Sequence, residues 1–214
     1  MRDESEKEVV HRLEAFSDIV IGFSLAQLSL TLQIPQHALD VFTDAGAGTR
    51  GTMPFAAFGI TFGLVCAVWW LHHRLFRHLF VPVTANIIAN FAALGGVIFL
   101  AYSMQVLVHF GFKDPVAFPM YTGSYAWIML LFSAIAWNGL RLRGERLNGE
   151  LRIRGTHYAV RLTIIAAWLV LMTLATSLFG VRPYVAQWLF FGLVVPLAIA
   201  RLIMRNRLRA IADS

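Results

Sequence analysis

Several uninterrupted apolar runs of roughly 20 residues are the feature that most constrains this chain. A helix rises 1.5 Å per residue, so each run is long enough to cross a hydrocarbon core of about 30 Å. Spanning segments must satisfy their backbone internally, which leaves helices or closed barrels, and runs of this length without alternation point to helices. Composition agrees: 58% of the 214 residues are hydrophobic, 14% are charged, and mean hydropathy is +0.65. The expected fold is all-α, a polytopic membrane protein built as one bundle of six transmembrane helices. These are placed at 12–34, 54–76, 83–110, 117–140, 158–180 and 183–204, with residues 1–214 forming a single domain and short tails at both ends.

The basic residues test this division. If loops alternate sides, Arg2, Lys7 and Arg12, then Arg74 and Arg77, then Arg141 to Arg161, then Arg201 to Arg209 fall on one face. That is 15 of the 18 Lys and Arg, leaving Arg50, Lys113 and Arg182 on the other. Basic residues are retained in the cytoplasm during insertion, so both termini are expected there and the number of spans is expected to be even. The net charge of +6 thus finds its explanation in topology, and no nucleic-acid partner is expected. The first apolar run lacks a small-residue cleavage site and carries Asp18 and Gln27, so it reads as a retained helix.

Polar residues within apolar helices are costly and need partners. With the first helix leaving the cytoplasmic face and the second returning to it, Arg12, Ser17 and Asp18 share a depth with His72, His73 and Arg74. Such a group can fasten two helices by charge-assisted hydrogen bonds, or serve as a proton relay or gate. Ser17, Val20, Ser24, Gln27 and Thr31 fall within a narrow arc of the first helix at about 100° per residue, a stripe suited to helix contact or to lining water. His72 and His73 are adjacent, which turns them apart on a helix and does not suit a shared metal ion. Asn86 and Asn90 read as packing residues, Gly59 and Gly63 as a close helix approach, and the tryptophans, among them Trp69, Trp70 and Trp137, as interface anchors or core. The stretch Tyr121 to Tyr125, YTGSY, has the look of a carbonyl filter, but no re-entrant loop leads into it. Thr122 or Ser124 reads better as a cap of the fourth helix.

The segment Arg12 to Asp18, RLEAFSD, fits the pattern RxxxFSD, and Trp70 to Phe76, WLHHRLF, fits a second signature at the end of the second helix. Together these resemble the transmembrane protein 175 family, over about the first 80 residues. The resemblance implies a potassium-permeable cation channel of the bacterial kind, one six-helix unit per chain, assembled as a homotetramer in the cell membrane. It further implies that Arg12, Phe16, Ser17, Asp18, Trp70, His72 and His73 belong to an inter-helix network, and that the first helix lines the pore. The family's apolar constriction aligns with Phe23, Gln27 and Leu30, with Thr31 continuing the polar stripe beside it. An isoleucine is expected where Phe23 stands and a leucine where Gln27 stands, while Tyr102 and Ser103 occupy the region of an expected proline-phenylalanine pair, so selectivity is less defined than architecture. No catalytic residue, metal or cofactor is expected; potassium or another monovalent cation and membrane lipid are the expected partners. The competing readings are a membrane-embedded enzyme or redox protein using Asp18, His72 and His73, and a scaffold that conducts nothing because Phe23 seals the axis.

Overall fold

The computed structural model describes residues 4–31, 53–111, 114–143, 149–178, 197–198 and 201–202. Among these the fold is helical and contains no strand. Five long helices follow in order: α1 (Glu4–Leu28, extended by a 3-10 turn at Ser29–Thr31), α2 (Met53–His78), α3 (Thr84–Phe110), α4 (Ala117–Arg143) and α5 (Gly149–Leu178). Helices α3, α4 and α5 are each long and apolar enough to cross a bilayer. The expected sixth helix at 183–204 lies almost wholly outside the described residues.

Two helix starts differ from expectation by more than one residue. Helix α1 begins eight residues earlier than its apolar run, because Glu4 and Glu6 occupy its first turn, where carboxylates favour the positive end of the helix dipole, and Lys7 pairs with Glu4 at 3.0 Å. Helix α5 likewise starts at Gly149, with Arg154 and Glu150 paired one turn apart. In both cases a charged, water-facing extension adds turns that hydropathy does not register.

Helix α4 is the centre of the bundle, packed along α3 on one side and α5 on the other, while α1 rests on α3 and α2 at the flank. Large side chains from α2, α3 and α4, among them Phe76, Leu100, Ile128, Phe132 and Ile135, fill the interior. The close approaches are at Gly96, where a Cβ would meet Trp127 and Ile128, at Gly139, where it would run into the Leu79 carbonyl oxygen, and at Gly155, beside Leu140 and Leu79. Gly59 and Gly63, expected to form such an approach, instead meet nothing within 4 Å. They lie on the outward face of α2 in the single chain.

The corner between α2 and α3 is held by α4. Arg143 donates to the carbonyls of His78 (3.2 Å) and Phe80 (2.8 Å), and Asn138 donates to Asn86, whose own amide donates to the Val81 carbonyl. The carbonyls that end a helix have no partner within it, and these bonds supply one. The cap of α4 is Asp114, whose Oδ1 accepts from the backbone N–H groups of Val116 and Ala117, both at 2.8 Å. Thr122 and Ser124, expected to cap, sit inside α4 and return their hydroxyls to the carbonyls of Phe118 and Met120. All of YTGSY is therefore ordinary helix, with its carbonyls committed to the helical ladder.

Candidate functional site

Helix α1 has two faces of opposite character. Toward the bundle it buries Val10, Ser17, Ile21, Ser24 and Leu28. Away from it, Ile19, Phe23 and Leu30 are 70%, 71% and 73% exposed. The inward hydroxyls bond locally as well as across: Ser17 donates to the Leu13 carbonyl at 2.7 Å and Ser24 to the Val20 carbonyl at 2.9 Å. The polar stripe thus turns its serines into the bundle, where an unpaired hydroxyl would be costly and a backbone acceptor is at hand.

Ser17 opens a three-helix chain of hydrogen bonds. Its Oγ accepts from Asn90 Nδ2 of α3 at 3.2 Å, and Asn90 Oδ1 meets His72 Nε2 of α2 at 3.0 Å. All three side chains are fully buried. Because the amide oxygen only accepts, His72 carries its proton on Nε2 and donates it, so polarity runs one way: His72 to Asn90, Asn90 to Ser17, Ser17 to the backbone. His72 Nδ1 is buried and has no hydrogen-bond partner among the described residues. The imidazole is clasped by stacking on Phe76, with ring centres 4.2 Å apart, and Phe76 stacks in turn on Phe80.

A second, more exposed layer joins α1 to α2 only. Asp18 Oδ1 accepts from Trp69 Nε1 at 2.8 Å, and Glu14 meets His73 Nδ1 at 2.8 Å. The Trp69 ring stacks on His73 and leans on Trp70. Phe16 is directed to α3, edge-on to Phe91 with centres 5.7 Å apart. Arg12 is exposed and makes no hydrogen bond or ion pair among the described residues.

The expected cluster is therefore divided. Ser17 and His72 are brought together, but through Asn90; Asp18 goes to Trp69; His73 goes to Glu14; Arg12 and Trp70 stay at the margin. Helix phase explains the division: Ser17 and Asp18, like His72 and His73, are successive residues and point about 100° apart. Asn90 and Glu14 complete the arrangement. Asn90 carried a signal, as an amide in an apolar run four residues from Asn86; Glu14 carried one in its place between Arg12 and Asp18. Of the residues aligned with a constriction, Phe23 and Leu30 are open, and Gln27 is half-buried at the edge between the open and packed faces. The side chain of Thr31 lies outside the described residues.

A family model described as endosomal/lysosomal potassium channel TMEM175 matches residues 12–100. The resemblance to the transmembrane protein 175 family is borne out. The matched segment runs from Arg12 through Asn90 and beyond, and so contains every member of both layers of the network. A potassium channel of Chamaesiphon minutus is 25% identical over 138 residues, 63% of this chain and 68% of that relative. Among solved structures, a point variant of the potassium channel MtTMEM175, in complex with a nanobody fusion protein, superposes with a TM-score of 0.67 at 17% identity, covering 91% of this chain and 93% of its own. A lysosomal potassium-selective channel TMEM175 homologue from Chamaesiphon minutus superposes with a TM-score of 0.61 at 21% identity, covering 87% and 98%. These likenesses establish the fold of the TMEM175 family for this chain, and with the apolar helices they make it a membrane protein.

Proposed function

We propose that this chain is a subunit of a potassium-permeable cation channel, in which α1 from each of four copies surrounds a common pore. Its relatives are potassium channels, and the observation that carries the reading to particular residues is the open ridge Ile19, Phe23 and Leu30 on a helix whose opposite face is pinned by buried hydrogen bonds. A pore helix needs this asymmetry: a fixed inner face sets rotation, and the other face is left for the axis. Each unit has six spans, the last at 183–204, with both termini in the cytoplasm, as the basic residues require.

A ring of Phe23 supplies a hydrophobic constriction, which controls ions by excluding water from a narrow apolar passage. Leu30 forms a second apolar level, about ten Å further along the helix at 1.5 Å per residue. Gln27, between them, offers an amide that replaces part of a cation's hydration shell or bonds its neighbours in the ring.

Cysteine substitution tests the placement. In a Cys66→Ala background, Phe23→Cys in liposomes should react with a charged, water-soluble thiol reagent and lose potassium flux as it does so. An unreactive Phe23→Cys in conducting channels would place the ridge against lipid and remove α1 from the pore.

A further inference from the structure

Away from α1, one face of α2 and one face of α5 meet at the basic end of the bundle. Trp70, Arg74 and Arg77 recur at spacings of four and three on α2, and Arg154, Tyr158 and Arg161 do the same on α5. Tyr158 joins the two faces. Its hydroxyl donates to the Leu71 carbonyl at 2.5 Å, the guanidinium carbon of Arg74 stands 5.5 Å from its ring centre, and Arg161 follows it by three residues on the same face of α5. Arg74, Arg77 and Arg161 are exposed, and none of the three meets a carboxylate among the described residues, whereas Arg154 is already paired with Glu150. Among the described residues, Arg74 over the Tyr158 ring and Arg161 one turn on from Tyr158 thus bring two guanidinium groups from different helices to one tyrosine with no carboxylate paired to either. Guanidinium groups with no carboxylate partner are open to an anion from outside the chain.

Depth identifies the anion. The spans expected from the sequence end at 76 on α2 and begin at 158 on α5, so Arg74 and Arg161 lie within one turn of the span ends, near the boundary between hydrocarbon and water. One turn toward the hydrocarbon, Trp70 exposes 54% of its surface and offers an apolar ring. A ligand with a phosphate at the level of the arginines and an acyl chain beside the indole fits both features, since guanidinium groups bind phosphate oxygens in pairs and basic residues at this level attract anionic lipid. We propose that Arg74 and Arg161, joined across α2 and α5 by Tyr158 with Arg77 beside them, form a headgroup site for an anionic phospholipid.

Native mass spectrometry of the purified full-length protein, titrated with phosphatidylglycerol or phosphatidylcholine, tests this. The wild type should retain phosphatidylglycerol selectively, and Arg74→Gln/Arg161→Gln should lose about tenfold or more in affinity. Arg141→Gln/Arg152→Gln, which removes the same charge from the same end of the bundle, should lose much less; equal losses would reduce the site to general surface charge and overturn the proposal. Soluble glycerol phosphate should compete only weakly, and competition as strong as that of the lipid would overturn the assignment to a membrane lipid. Independently of any variant, a photoactivatable phosphatidylglycerol should label the wild type at the α2 and α5 peptides around Trp70 and Tyr158; labelling spread evenly over the chain would refute the site.

Discussion

Replacing Asn90 by leucine keeps the volume of the side chain and removes both bonds through which α3 joins α1 to α2. His72 Nε2–H loses its acceptor at 3.0 Å and Ser17 Oγ loses the donor at 3.2 Å, although Ser17 keeps its own bond to the Leu13 carbonyl. Side-chain hydrogen bonds between membrane helices are worth on average about 0.6 kcal/mol and at most about 1.7. Two of them, in a fully buried site, give an expected loss of about 1–3 kcal/mol. The larger share belongs to His72, because its Nδ1 already lacks a partner among the described residues and the variant would strand the second nitrogen too. The loss is measured by reversible unfolding of the protein in mixed micelles, and a double-mutant cycle isolates its cause. In a His72→Phe background, where the ring can still stack on Phe76 but donates nothing, Asn90→Leu should cost less by about 0.6–1.7 kcal/mol. A coupling indistinguishable from zero, with both single variants folded, would show that the histidine and asparagine do not act as a pair and that α1 is oriented by apolar packing alone.

Asp18→Asn keeps an oxygen able to accept from Trp69, so thermal stability should change by less than about 1 kcal/mol; a collapse of the folded protein would show that the carboxylate charge itself is required. Gly139→Ala places a Cβ against the Leu79 carbonyl and should destabilise by about 1–3 kcal/mol or more, whereas Gly59→Ala, with open space around it, should leave the unfolding of the single subunit unchanged. Asp114→Ala removes the cap of α4 and should cost about 1 kcal/mol by thermal melting. Phe23→Ala should alter potassium flux in liposomes without changing oligomer size on gel filtration, and unchanged flux would exclude a gate at that position.

Three of the expected spans, α3, α4 and α5, were legible because a bilayer imposes a length and a polarity that no other solvent imposes, and α3 and α4 begin within one residue of their expected starts. The two signatures also named the correct pair of helices. Their internal partnerships were not legible, because they depend on helix rotation relative to neighbours. Asp18 looked like the demanding residue of α1, since a carboxylate carries the greatest desolvation penalty, yet it lies at the surface beside an indole N–H. The demanding residues are neutral: Ser17, His72 and Asn90, which no charge count distinguishes. The glycines teach the same lesson. Gly59 and Gly63 have the spacing of a helix contact, but the contacts are made by Gly96, Gly139 and Gly155, each fixed by a neighbour contributed from elsewhere in the chain.

The clasp of Arg143 on the α2–α3 corner has a consequence for biosynthesis. Its acceptor, the Phe80 carbonyl, precedes it by 63 residues, and its neighbours Asn138 and Gly139 also face that corner from α4. When α2 and α3 leave the ribosome, the Val81 carbonyl can already accept from Asn86, but the carbonyls of His78 and Phe80 still await the donor that Arg143 brings. The hairpin therefore waits, incomplete, until the end of α4 is synthesised. Insertion of the first three helices and consolidation of their packing are separate events in time, and a ribosome stalled before residue 138 would leave a nascent chain in the membrane whose first corner is not yet closed.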